Sequence, residues 1–209
     1  AFQESHLKNF SFPSKIKIIE KEAFRSCKDL IEISFNSDCE LQIINERVFS
    51  ETKISSVSIP SHVTTIGARS FYLCKDLNNV VFENENIIEL IDDGAFSGTS
   101  IQSFKVPPNF TKINKYSLSS CSKLKNVEFP SDSKIQIIED CAFQYSSIER
   151  IIIPKLVTLI RSLAFYCCKN LKSVEFPDDS QLETIEKDAF YESTIECINI
   201  PSKCIDLKD

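Results

Sequence analysis

The chain has 209 residues, 42% of them hydrophobic and 26% charged, with a formal net charge of −6. That balance suits a well-buried soluble fold and leaves no basic stripe for nucleic acid or anionic lipid. Glycine is scarce at 3, Met and Trp are absent, and Phe reaches 16, a poor stock for the glycine-dependent turns and ligand-cradling loops of a compact α/β enzyme. No apolar run approaches the roughly 18–20 residues of a bilayer span, and no signal sequence is visible. Beginning at Ala1 and lacking Met, the chain reads as an excerpt or a processed product, with any anchoring segment outside view.

In chain order, the first element is a strand fragment, Leu7-Lys-Asn-Phe10-Ser-Phe12-Pro13. A unit centred on Phe24 and Cys27 follows, then one centred on Phe49 and Thr52. The next pair repeats them 47 positions on, at Phe71 with Cys74 and Phe96 with Thr99. Leu118 with Cys121 and Phe143 with Ser146 come next, then Phe165 with Cys168 and Phe190 with Ser193. The chain closes on Pro201-Ser-Lys-Cys204-Ile-Asp-Leu207, the start of another unit. Two series interleaved at a step of 47 without slip define about eight repeats of roughly 22–25 residues, alternating in two types. They fill residues 1–209 as a single solenoid domain with partial repeats at both ends.

Each unit carries two periodicities. Leu124-x-x-Val127-x-Phe129 ends in period-2 alternation, the mark of a short strand with one buried face. Ile160, Ala164, Phe165 and Cys168 follow i, i+4, i+5, i+8, which places them on one stripe of a short helix. Strands recurring about every 23 residues with a crossover between them stack in parallel. A unit that buries roughly seven apolar side chains gains on the order of 10–20 kcal/mol. Ordering its roughly 23 residues costs about 1–2 kcal/mol each. A lone repeat is therefore unstable, and stacking supplies the difference. The expected fold is an α/β solenoid: a leucine-rich-repeat horseshoe with a parallel concave β-sheet and short convex helices.

The pattern L-x-x-V/I-x-F/I-P-x-x-V-x-x-I-x-x-x-A-F-x-x-C resembles the BspA-like, or treponemal-type, leucine-rich repeats. Leu171-Lys-Ser-Val174-Glu-Phe176-Pro177, and Ile66-Gly67 through Phe71 and Cys74, carry the resemblance, which covers essentially the whole chain. The alternation of Cys and Thr units points to the protozoan branch. The Asn that follows the strand in many leucine-rich repeats is replaced by Pro-Ser or an acidic turn. The resemblance implies a cell-surface or extracellular protein that adheres to host cells or matrix protein; an intracellular interaction scaffold is the alternative, as is a recognition array attached to a domain outside this chain.

The residues offer no catalytic constellation, and no cofactor or metal ligand set is expected. His6 and His62 lack a repeated nucleophile beside them. Cys27, Cys74, Cys121 and Cys168 fall on the apolar stripe, two rungs or roughly 10 Å apart, beyond disulfide reach of about 7 Å. Cys39, Cys141, Cys167, Cys197 and Cys204 lie outside that column, and a bridge among them stays open. Asp38, Glu40, Glu83, Glu85, Asp132, Asp178 and Asp179 follow alternate strands and are too sparse for a calcium loop. Asn9 and Asn109 match the glycosylation acceptor pattern, at a frequency chance supplies. The expected partner is a protein or glycoprotein, with no nucleic acid and no direct membrane contact, and the partial end repeats invite end-to-end self-association. Its binding surface is expected on the outward strand positions: Asn79, Val81, Lys105, Asn126, Glu128, Arg150, Ile152, Ser173 and Glu175.

Overall fold

A computed structural model describes residues 1–208 of the chain. Longer face strands alternate with two-residue corner strands. The first unit, Ala1–Ile101, holds β1 (Asn9–Phe12), β2 (Ile18–Ile19), β3 (Glu32–Phe35), β4 (Ile43–Ile44), β5 (Ser56–Ile59), β6 (Thr65–Ile66), β7 (Asn79–Phe82) and β8 (Leu90–Ile91). The second, from Gln102 onward, holds β9 (Ser103–Lys105), β10 (Lys112–Ile113), β11 (Asn126–Glu128), β12 (Ile137–Ile138), β13 (Arg150–Ile152), β14 (Leu159–Ile160), β15 (Ser173–Glu175), β16 (Thr184–Ile185), β17 (Cys197–Ile198) and β18 (Asp206–Leu207). Every pairing is parallel, as strands separated by a crossover require. Each unit is a parallel β-solenoid.

Corner strands form an unbroken ladder in each unit, β2-β4-β6-β8 in the first and β10-β12-β14-β16-β18 in the second. In every corner strand but β18, whose Leu207 is exposed, the second residue points inward. Ile19, Ile44, Ile66 and Ile91, then Ile113, Ile138, Ile160 and Ile185, are all buried. Face strands alternate in the same way, so Val57 and Ile59 are buried between exposed Ser56 and Ser58.

The expected convex helices are not formed. Among the described residues there is no α-helix, and the one helical turn is a 3-10 turn at Glu85–Ile87. Ile160, Ala164, Phe165 and Cys168 are all fully buried, as their spacing predicts, but the backbone reaches that result differently. The N–H groups of Leu163, Phe165 and Cys167 donate to the carbonyls of Lys187, Ala189 and Tyr191 in the next coil. Those of Ala164, Tyr166 and Cys168 reach back three residues to Arg161, Leu163 and Phe165. A helix needs every N–H for the i−4 carbonyl of its own segment; here every second one is spent on the neighbouring coil.

This arc requires two left-handed residues per coil, four positions apart. They are Glu22 and Ser26, Arg47 and Glu51, Arg69 and Leu73, and Gly94 and Gly98 in the first unit. Tyr116 and Ser120, Cys141 and Tyr145, Leu163 and Cys167, and Asp188 and Glu192 take the same places in the second. Only Gly94 and Gly98 are glycines. Each of the others accepts a conformational penalty of about 1–2 kcal/mol, offset by the intercoil hydrogen bonds and the core they close. The low glycine content is therefore no measure of how tightly this backbone turns.

The core is a column of aromatic rings. In the first unit Phe24, Phe49, Phe71 and Phe96 stack at centroid separations of 5.6, 5.3 and 5.3 Å. In the second, Phe143, Phe165 and Phe190 stack at 5.2 and 5.1 Å, with Leu118 buried at the equivalent place in its coil. Offset stacking of this kind adds about 0.5–1.5 kcal/mol per pair beyond area burial.

Candidate functional site

The alternation along each face strand that turns one residue inward turns the next outward. In the first unit the outward row is polar: Ser11, Glu32, Ser34, Ser56, Ser58 and Asn79, with Val81 an exposed apolar exception at 47%. The hydroxyls of Ser11 and Ser34 bond across adjacent strands at 2.8 Å. In the second unit the row mixes charge and apolar surface. Lys105, Asn126, Glu128, Arg150 and Ile152 are exposed, Ile152 at 55%, while Ser173 and Glu175 are half-buried.

The structure joins Arg150 to Glu175, whose carboxylate lies 2.6 Å from the guanidinium and also accepts a bond from the Ser173 hydroxyl at 3.1 Å. Hydrogen bonding to Arg150 holds Glu175 below the usual carboxylate range. A pair this exposed contributes little to folding; its effect is to hold the Arg150 guanidinium over β15, where Glu175 lies. Glu128 and Lys105 occupy paired positions on β11 and β9. Asn79 and Val81 belong to β7 of the first unit.

Other sequence-level candidates resolve as follows. All nine cysteines are free thiols. Cys27, Cys74, Cys121 and Cys168 are fully buried, and they do more than fill space. The Cys74 thiol donates to the Phe49 carbonyl at 3.0 Å and meets the Thr52 hydroxyl at 3.3 Å. Cys168 repeats this with the Phe143 carbonyl and Ser146. Burial pushes both thiols up to about 11. Cys39, Cys141 and Cys167 are also buried, Cys204 is half-buried, and Cys197 is exposed. His62 is exposed and His6 pairs with Asp29 at 2.8 Å, which lowers the Asp29 carboxyl. The acidic turns are partly tied into cross-coil pairs, Glu40 with Lys15 and Asp179 with Lys155. Glu83 accepts from the Ser58 hydroxyl and the Ser61 amide.

Two features escaped sequence reasoning. One is a tyrosine column on the arc side of the second unit, where Tyr145, Tyr166 and Tyr191 follow one another at 5.3 and 5.8 Å. The five tyrosines carry no fixed spacing that would announce it. The other is a lapse of face-strand pairing between β3 and β5 and between β11 and β13, while β13, β15 and β17 stay joined.

Stacked coils, three backbone ladders and a solvent-facing strand row of changing chemistry define a repeat protein of the interaction class, a fold that is non-enzymatic in this family. The chain belongs to the BspA-type leucine-rich-repeat family, whose repeat model matches residues 1–121 and 89–209. Among solved structures, a leucine-rich-repeat protein of Eubacterium ventriosum is similar at a TM-score of 0.73 and 21% identity, covering 98% of this chain and 57% of its own. A leucine-rich cell surface protein of Faecalibacterium prausnitzii is similar at 0.59 and 21%, covering 98% and 60%. The pneumococcal vaccine antigen PcpA is similar at 0.55 and 17%, covering 98% and 63%. The chain thus spans about three-fifths of these three proteins. A search of curated protein sequences finds no match to it. Among the described residues no helix is long and apolar enough to cross a membrane.

Proposed function

We propose that this chain is the recognition array of a cell-surface protein, an adhesin or antigen that binds host cells or extracellular-matrix protein through its strand faces. The observation that carries the reading is the contrast along each face strand. Inward residues keep one chemistry from coil to coil, while outward residues change, so a rigid frame presents a variable surface. The family and the names of two structural relatives, a cell surface protein and a vaccine antigen, support the location. In the second unit Arg150, Ile152, Glu128 and Lys105 supply the mixed polar and apolar contacts from which binding hot spots are built.

The test is adhesion of the purified chain to immobilised extracellular-matrix protein and to epithelial cells. Changing Arg150 and Ile152 together to Ala leaves folding intact, since exposed positions usually shift stability by no more than about 0.5 kcal/mol. Adhesion is expected to fall at least about tenfold, or about 1.4 kcal/mol, while Lys187→Ala on the arc side changes nothing. If the double variant adheres as well as the parent and a variant with Asp178 and Asp179 changed to Ala does not, the acidic turns carry recognition instead. Undiminished adhesion of both would refute a role for this surface. A second reading, an intracellular interaction scaffold, draws support from nine free thiols and no disulfide framework; protease shaving of intact cells separates the two.

A further inference from the structure

The tyrosine column on the arc of the second unit takes no part in the strand faces or in the core. Tyr145, Tyr166 and Tyr191 stand on successive coils, while the other two of the five tyrosines, Tyr72 and Tyr116, lie outside the column. Backbone hydrogen bonds fix the three coils against one another. The Tyr145 N–H donates to the Tyr166 carbonyl at 2.9 Å, and the Cys167 N–H to the Tyr191 carbonyl at 2.9 Å. The two ring pairs differ. Tyr145 meets Tyr166 edge to face at 79°, whereas Tyr166 and Tyr191 lie parallel within 8° at a centroid separation of 5.8 Å. Tyr191 is 56% exposed and Tyr166 is half-buried. The Tyr166 hydroxyl bonds to the Cys167 sulfur and to the Tyr145 hydroxyl, which hold it protonated above the usual phenol range. The Cys167 thiol gives its own hydrogen to the Glu192 carboxylate at 3.2 Å, away from the Tyr166 ring.

We propose that Tyr166 and Tyr191 form a dityrosine crosslink when the protein meets hydrogen peroxide and a haem peroxidase. Each phenol gives up one electron to the peroxidase and its proton to solvent. In the resulting phenoxyl radical much of the unpaired density lies on the ring carbons ortho to oxygen. Two such radicals pair their electrons in a new ortho-to-ortho C–C bond; each ortho hydrogen then leaves its carbon as a proton, and a proton returns to the ring oxygen. The sum is two phenols and one H2O2 giving one linked bisphenol and two waters, so the chain loses two hydrogens. Exposed Tyr191 is the ring that the peroxidase reaches. An electron handed from Tyr166 to the Tyr191 radical across the stack, then a second oxidation of Tyr191, sets both radicals side by side. Holding them on neighbouring coils makes the coupling intramolecular, which favours this pair over coupling between chains. The parallel rings bring ortho edges alongside each other, while the perpendicular Tyr145–Tyr166 pair points an edge at a ring face. The product ties the coil of Phe165 to that of Phe190 by a bond that reductants do not open. In a chain whose nine cysteines are all free thiols, it supplies a covalent clamp that oxidising surroundings create rather than threaten. The inference does not depend on what the strand faces bind.

The test treats the full chain, in dilute solution, with hydrogen peroxide and a haem peroxidase. Dityrosine fluorescence is read on the monomer after reduction and alkylation of every thiol, so that no disulfide contributes. The monomer is expected to gain this fluorescence. A tryptic digest is expected to contain peptides 162–169 and 188–203 joined, at two hydrogens less than their summed mass. Both signals are expected to be lost in Tyr166→Phe and in Tyr191→Phe, which keep the ring and remove the hydroxyl, and to be retained in Tyr145→Phe. Circular dichroism verifies that each variant keeps the parent's β-structure. The proposal is overturned if the oxidised monomer contains no dityrosine, if the signal resides only in linked dimers, or if the bond maps to Tyr145. Fluorescence that persists undiminished in Tyr166→Phe or Tyr191→Phe would overturn it equally.

Discussion

At the scale of single residues, the alternating Cys and Thr column is where chemistry and packing meet. Cys74 and Thr52 both direct a donor to the Phe49 carbonyl, at 3.0 and 2.8 Å, so a buried acceptor in a tight turn is satisfied from two coils at once. The thiol titrates at about 11 in the fold against an ordinary 9.0. A folded value above the unfolded one gives stability that is complete below pH 9 and lost as pH rises from 9 through 11. For a shift of this size the loss is on the order of 2–3 kcal/mol per thiol. Urea midpoints are therefore expected to fall more steeply between pH 8 and pH 10.5 in the parent than in Cys74→Ala, and equal slopes would contradict the linkage. At neutral pH a thiol reagent is expected to modify exposed Cys197 at once and the four column cysteines only after denaturation. Glycine positions give a second contrast. A Cβ on Gly67 would stand 2.7 Å from the backbone carbon of Asn45, whereas one on Gly98 meets the movable tip of Leu73 and adds mainly the cost of its φ of +74°. Gly67→Ala is expected to cost about 1–3 kcal/mol and Gly98→Ala about 1–2 kcal/mol, with Gly67 the larger in thermal melts.

At the scale of elements, the Phe stack predicts the largest single loss. Phe143 is fully buried, and Phe143→Ala is expected to cost about 3–5 kcal/mol in equilibrium unfolding. Much of this was legible beforehand. The 47-residue step located every coil, and period-2 alternation located the outward rows, including Arg150 and Ile152. The convex helices were wrong because Ile160, Ala164, Phe165 and Cys168 satisfy a helical stripe and an arc of linked turns equally well. What separates the two is the left-handed backbone at Leu163 and Cys167, and neither residue type announces it. The lapses in the face ladder were missed for a related reason: β3, β11 and β15 share the same longer turn, yet only β15 keeps its pairing with the next face strand of its unit.

At the scale of the whole molecule, the sequence period passes residue 101 without a slip, and the expectation of one domain over residues 1–209 becomes a proposal about cooperativity. Phe49→Ala and Phe143→Ala should each move a single unfolding transition, since an array of coupled repeats melts together when its interfaces are strong. Two transitions, each answering to one substitution, would make the two compact units separate domains. The Cys/Thr alternation has a further consequence, for how such a chain can change length. Within each unit the two column cysteines, Cys27 with Cys74 and Cys121 with Cys168, are kept two rungs apart, about 10 Å, because a coil with a hydroxyl residue in the column stands between them. Losing a single coil would set two thiols on neighbouring rungs, about 4.8 Å apart and within the separation a disulfide spans. It would also place two strands of the same turn length side by side. Gain or loss of 47 residues does neither. Adding or removing coils in pairs is therefore expected to preserve the fold where removing one is not, and the thiol column marks that phase.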